Sequence, residues 1–245
     1  MRILIQIVFG LALCAPRFAA HAAEPRFPSG AVFFPTFCFN RGSFSGGTAF
    51  VVRNETPAVD LIVTAHHLFG PACGLESDLG WDEMPKVIKL VVGVGADNPA
   101  THIVATRPLR IVGAHALDDS GLDRDIAAFE LDRNAERPSL ALATNPPKKG
   151  DKVWLVGEDY GKGKAELHEA SVVLSSASEL RYAFENAKIE LRGTSGAPVI
   201  DAGGAVVAIN IGGGRSKTEL VGMGNPVTSI RKHLERALKA SPLQK

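Results

Sequence analysis

Gly193-Thr194-Ser195-Gly196-Ala197-Pro198 sets a serine between two glycines, immediately before the apolar pair Val199 and Ile200. Flanking glycines let the backbone turn so that amide N–H groups and a hydroxyl can face one reacting carbonyl. The hexapeptide is short, and a Gly/Ser turn leading into a strand has the same composition. A nucleophile is separated from a turn by whether the chain also supplies a base and an acid.

A serine hydroxyl is a weak nucleophile at neutral pH, so it needs a histidine, and the histidine needs a carboxylate to fix its tautomer. Val63-Thr64-Ala65-His66-His67-Leu68 ends an apolar strand with two histidines, and Asp123-Arg124-Asp125-Ile126-Ala127-Ala128-Phe129 sets two acids ahead of another apolar run. The order His, Asp, Ser is one of several that build the same geometry, which makes order a mark of family. Adjacent side chains on a strand or turn point in different directions, so only one of His66 and His67 can face the serine. The remaining histidines, His102, His115, His168 and His233, lack ligand-like spacing, and neighbouring histidines do not converge on one metal as i, i+4 helical histidines do.

The chain around these motifs is that of a globular protein. Its 245 residues, 45% of them hydrophobic, can bury one large core or two small ones without disulfide or metal staples. With 27 basic and 26 acidic residues the net charge is +1, so no overall field favours nucleic acid or an anionic membrane. Arg2, the apolar run Ile3 to Ala15 and the closing Ala20-His21-Ala22 read as a secretory signal peptide cleaved after Ala22; the run is too short to span a bilayer. The expected location is therefore secreted or periplasmic. Beyond that segment two cysteines remain, Cys38 and Cys73, and in an oxidising compartment they are expected to pair, the alternative being two separate thiols.

From about Phe33 onward, short β-rich runs alternate with Gly, Pro, Asn and Asp. Examples are Thr48 to Val52, Leu61 to Thr64, Val87 to Val94, Ile103 to Val112, Val153 to Val156, Val172 to Leu174 and Val206 to Ile211. Such regular short strands indicate barrels or sandwiches. Helical periodicity is confined to the C-terminus, where Ile230, Leu234 and Leu238 repeat every four residues along Thr228 to Ala240. Between Asp132 and Asp151 the chain turns rich in Pro, Asn, Lys and Glu, marking a crossover between two halves.

These motifs resemble those of the trypsin-like serine proteases of the chymotrypsin superfamily, in the form found in secreted bacterial members. Val63 to His67 matches the family's V-[ST]-A-A-H with His66 at the second alanine, which gives the base role to His67. Asp125-Ile126-Ala127-Ala128 matches D-I-A plus an apolar residue and favours Asp125 over Asp123. Gly193 to Pro198 matches G-D-S-G-G-P with Thr194 and Ala197 substituted, and Gly46-Gly47-Thr48-Ala49-Phe50-Val51-Val52 resembles the strand that precedes the histidine.

The resemblance implies an all-β fold of two packed six-stranded antiparallel barrels with a C-terminal α-helix. The expected division is a signal peptide at 1–22, a first barrel at 23–135 and a second barrel with helix and tail at 136–245. It implies a secreted hydrolase, a serine endopeptidase that is monomeric, uses no cofactor or metal and acts on polypeptides through an acyl-enzyme. The implied catalytic residues are His67, Asp125 and Ser195, with the Gly193 and Ser195 N–H groups as oxyanion hole. Ile189, Asn210, Ile211, Gly212 and Gly213 are expected to bind substrate, and an uncharged Ile189 points to a small or apolar residue before the cut. Thr194 cannot form the ion pair with a newly cut N-terminal amine that switches on many secreted members, so activity without that step is expected. A catalytically silent barrel that binds proteins is the alternative. A serine hydrolase for another acyl substrate is a weaker one, because its common fold orders the residues Ser, Asp, His.

Overall fold

A computed structural model of the chain describes residues 24–55, 58–118, 121–131, 137–159, 161–215 and 219–240. The expected signal peptide at 1–22 lies outside the described residues.

The first barrel is built from β1 (Val32–Phe39), β2 (Ser43–Ser45), β3 (Ala49–Glu55), β4 (Ala58–Thr64), β5 (Ile88–Gly95), β6 (His102–Pro108) and β7 (Ala127–Leu131). A short helix, α1 (Met84–Val87), leads into β5. Neighbours pair antiparallel in the order β1-β3-β4-β7-β6-β5, and β5 pairs back onto β1, which closes six strands while β2 folds over β1 as a hairpin. The inward aromatics fill the barrel: Phe37 meets Phe69 edge-on at 4.7 Å between ring centroids and lies 6.2 Å from Phe129.

The second barrel comprises β8 (Lys152–Glu158), β9 (Ala165–Ser175), β10 (Leu180–Phe184), β11 (Pro198–Ile200), β12 (Val206–Arg215) and β13 (Leu220–Pro226), closed in the order β10-β13-β12-β11-β8-β9. The runs at Val153 to Val156 and Val206 to Ile211 are apolar on every residue except Asn210 instead of alternating, because both faces of these strands are covered. Leu155, Val199 and Val207 point into the second core. Trp154, Val156, Ile200, Val206 and Ile209 point the other way and pack in one cluster with the first barrel's Phe129, Phe50 and Leu61.

The C-terminal helix α2 (Val227–Ala240) spans the periodic stretch, and its buried stripe of Ile230, Leu234, Ala237 and Leu238 joins that same first cluster. The segment expected to run as a strand from Ile103 to Val112 ends at Pro108, with one further bond from Leu109 N to Ala128 O, and Val112 beyond it is exposed.

The expected pairing of Cys38 with Cys73 is not made; both are free thiols. Strand alternation is the reason. Cys38 follows the inward-facing Phe37 and so turns to the outer side of β1, whereas Cys73 sits in a short turn and packs against the core cluster. Burial pushes the Cys73 thiol up to about 11.

Truncating a fully buried ring of the first barrel's core tests this packing. Phe129→Ala is expected to cost about 3 to 5 kcal/mol of unfolding free energy in urea denaturation, and a loss below about 1 kcal/mol would mean the ring is not fully packed.

Candidate active site

Register brings the acid and base motifs together. In the antiparallel pair β4 and β7, Thr64 stands opposite Ala127. The chain leaving β4 through His67 and the chain arriving at β7 through Asp125 therefore share one barrel end. Asp125 is fully buried and accepts from His67 N at 3.0 Å, from Leu117 N at 3.2 Å and, through Oδ2, pairs with His67 Nδ1 at 2.8 Å. The carboxylate fixes both the ring and the backbone of His67. The proton on Nδ1 then leaves Nε2 as the free acceptor.

His66 points elsewhere. Its ring is buried, lies edge-on to Phe69, and bonds Leu79 O through Nε2 at 2.8 Å. Burial holds its pKa below the ordinary 6.5, against the smaller opposing pull of the Leu79 carbonyl and Asp125. Asp123 serves through its backbone: its carbonyl accepts from Ser229 Oγ at 2.6 Å and Asn225 Nδ2 at 3.2 Å, so the end of the chain straps the acid loop in place.

The serine loop is laced onto the first barrel. Thr48 N donates to Ser195 O at 2.7 Å, Thr48 Oγ1 donates to Gly193 O at 3.0 Å, and Thr64 Oγ1 donates to Thr48 O at 2.7 Å. Gly193 and Gly196 both have φ of +84°, where a side chain is strained. A Cβ on Gly196 would also stand 2.2 Å from Thr48 O and from Thr64 Oγ1. One added at Gly47 would meet Leu68 Cδ1 at 2.5 Å and Ser195 O at 2.9 Å, so the residue after His67 and the serine flank the same glycine.

The N–H groups of Gly193 and Ser195 have no protein acceptor among the described residues. They remain open to a developing oxyanion. The Ser195 hydroxyl donates to Ile211 O at 3.4 Å and, among the described residues, makes no hydrogen bond to His67. A hydroxyl rotor turns freely, and such bonds often form only once substrate is seated.

The residues expected to bind substrate divide. β12 pairs with β11 only up to Ile209, opposite Pro198, so beyond the bulge at Ile211 the backbone of Gly212 and Gly213 has β13 on one side and, among the described residues, no strand on the other. Ile189 is buried and packs in the second core. Asn210 is fully buried, and its side chain bonds Tyr182 OH and the carbonyl and hydroxyl of Thr194. Thr48, Tyr182, Asn225 and Ser229 were missed as members of the site's support. Only Thr48 lay in a quoted motif.

Among the described residues no three His, Cys, Asp or Glu side chains converge to hold a metal ion.

Residues 47–209, well over half of the chain, match the family model described as a trypsin-like peptidase domain. No curated protein matches the sequence significantly. Among solved structures, the chain is similar to a thermostable serine protease from an extremophilic microorganism, at 16% identity and a TM-score of 0.60 over 87% of this chain and 99% of that one. It is similar to an active-form protease from M. tuberculosis at 18% identity and a TM-score of 0.53, covering 92% of this chain and 94% of that one. A serine endoprotease from Yersinia pestis matches at 16% identity and a TM-score of 0.57 over 88% of this chain; this chain spans 65% of that protein's length. At these identities the likeness is one of fold.

The buried His66 has a measurable consequence. The unfolded chain takes up this proton near pH 6.5, whereas the folded chain takes it up only at lower pH. The contribution is whole above that value and is lost as pH falls through it. Urea midpoints should therefore fall between about pH 7 and pH 5, and the fall should be smaller in His66→Gln, which keeps a donor for Leu79 O. His233, also held low by burial, accounts for part of what remains. Equal slopes in wild type and variant would contradict this.

Proposed function

The chain belongs to the trypsin-like peptidase family, and from that membership we propose that it is an exported serine endopeptidase working through His67, Asp125 and Ser195. The observation that carries the reading is the pair of hydrogen bonds from Asp125 to the backbone and ring of His67, made by the residues that match the family's motifs. His67 Nε2 takes the Ser195 proton as the hydroxyl attacks the peptide carbonyl, and Asp125 stabilises the imidazolium that forms. The oxyanion is received by the Gly193 and Ser195 N–H groups. Nε2 returns the proton to the leaving amine, and water then cleaves the acyl-enzyme by the same steps in reverse. The substrate adds as a strand along the open edge of Ile211, Gly212 and Gly213. Export rests on the Arg2 to Ala22 segment.

In this reading the subsite beside the serine is apolar. Leu191 fills the space next to Gly213, where a Cβ would stand 2.6 Å from its Cδ1, and Ile189 is committed to the core. The exposed Glu190 carboxylate is turned back to accept from Arg192 N at 3.2 Å. A small or apolar side chain before the cut follows. A catalytically silent, protein-binding barrel is the second reading, favoured by the Ser195 hydroxyl bonding Ile211 O instead of His67.

A fluorophosphonate probe separates the two. Wild-type protein should label at Ser195, Ser195→Ala should not, His67→Ala should lose several orders of magnitude of labelling rate, and Asp125→Asn about 10⁴-fold of kcat. Folded wild-type protein that stays unlabelled returns the silent barrel, and a Ser195→Ala protein that labels equally removes Ser195 from the nucleophile role. In a peptide library, Ala or Val before the cut should exceed Lys, Arg and Asp by about tenfold or more; a basic preference would refute the pocket described.

A further inference from the structure

The buried side chain of Asn210 stands behind the serine loop, and its hydrogen bonds run in one direction. Nδ2 donates to Thr194 O and to Thr194 Oγ1, both at 2.9 Å. The Thr194 hydroxyl donates onward to Leu191 O at 2.7 Å, and Tyr182 OH donates to Asn210 Oδ1 at 2.5 Å. A carbonyl can only accept, so Thr194 O fixes which end of the Asn210 amide carries nitrogen. The opposite end must then be the acceptor for the phenol. Tyr182 and Asn210 are fully buried and Thr194 nearly so, and burial pushes the Tyr182 phenol far above its ordinary pKa, so it stays a donor.

This chain of bonds grips one particular peptide unit. Thr194 C=O and Ser195 N–H belong to the same planar trans peptide, in which carbonyl and N–H point in opposite directions. Asn210 Nδ2 and Ala197 N, the latter at 3.0 Å, both hold Thr194 O on the inner side. Ser195 N–H is thereby turned outward toward the cleft. Rotating that peptide would strip Thr194 O of two donors inside the protein, where an unmet acceptor costs about 1 to 3 kcal/mol. The backbone of Asn210 reinforces the grip, accepting from Gly196 N at 2.7 Å and donating to Ala197 O at 2.8 Å.

We propose that Asn210, oriented by Tyr182, is a positioning residue that fixes the Ser195 N–H as an oxyanion donor, with Thr194 as the residue through which it acts. The inference rests on the proposed peptidase activity. A positioning role of this kind acts on the tetrahedral state and leaves ground-state binding nearly alone.

The test compares the full chain with Asn210→Ala and Tyr182→Phe in three measurements: kcat and KM on a peptide amide, affinity for a peptide boronate that forms a tetrahedral adduct on serine, and affinity for a product peptide. Asn210→Ala should lower kcat by about 10²-fold with KM within about threefold, and boronate affinity should fall with kcat while product-peptide affinity holds. Tyr182→Phe keeps the ring and removes the donor, and should lower kcat by about tenfold in the same pattern. A folded Asn210→Ala protein with kcat within threefold of wild type overturns the inference. So does a parallel fall of kcat and product-peptide affinity, which marks general disruption of the cleft. If Asn210→Ala does not fold, Tyr182→Phe decides alone: unchanged kcat overturns the inference. Wild-type protein that neither cleaves peptide nor takes the boronate overturns the peptidase reading itself, before any variant is compared.

Discussion

A carboxylate with no exposure to solvent is the constraint around which the site is arranged. Asp125 must have its oxygens met inside the protein, since an unmet buried charge costs several kcal/mol or more. Its partners are the backbone and ring of His67 and the N–H of Leu117. Satisfying Asp125 therefore fixes His67. The acid's own loop is held in turn from the far end of the chain, where Asn225 reaches the carbonyls of Asp123 and Asp125 and Ser229 reaches that of Asp123. The geometry of the first barrel's edge thus depends on residues a hundred positions downstream.

The serine loop reverses that relation. It belongs to the second barrel, yet its outer side is held by Thr48 of the first and its inner side by Asn210 of the second. Two glycines make the double grip possible: Gly193 supplies the left-handed turn, and Gly196 leaves the gap that Thr48 O and Thr64 Oγ1 fill. The Ser195 hydroxyl is held more loosely than the loop's backbone, by a long bond to Ile211 O.

Much of this was legible in the sequence, and the parts that were not share a cause. The histidine, acid and serine motifs are local strings, and the β4 and β7 register then brings His67 and Asp125 side by side. The helix at the C-terminus was legible because Ile230, Leu234 and Leu238 repeat with helical period. Asn210 was expected to bind substrate from its place in the stretch Asn210 to Gly213, but simple alternation turns its side chain inward, since Ile209 and Ile211 on either side both pack in the first cluster. Tyr182 lies in no motif; only the closing of the second barrel puts its hydroxyl against Asn210. Cys38 and Cys73 were judged by compartment, but disulfides are decided by direction, and alternation along β1 turns Cys38 outward.

The same reasoning bears on how far the two halves are separate. The crossover after residue 137 is a strap as much as a linker: Leu140 N donates to Val51 O in the first barrel and Ala143 N to Val206 O in the second. Arg231 of α2 then donates to Ala143 O at 2.6 Å. The helix enters from β13 of the second barrel, starts with Val227 in the second core, and buries Ile230, Leu234 and Leu238 in the first. Cutting the chain near residue 135 would leave the first barrel without the helix that covers it, and would expose Ile200, Val206 and Ile209 on the second. The two halves bury apolar surface in one shared cluster, and burial of that surface fixes their relative position. That fixed position is what holds the serine loop of the second barrel on Thr48 of the first.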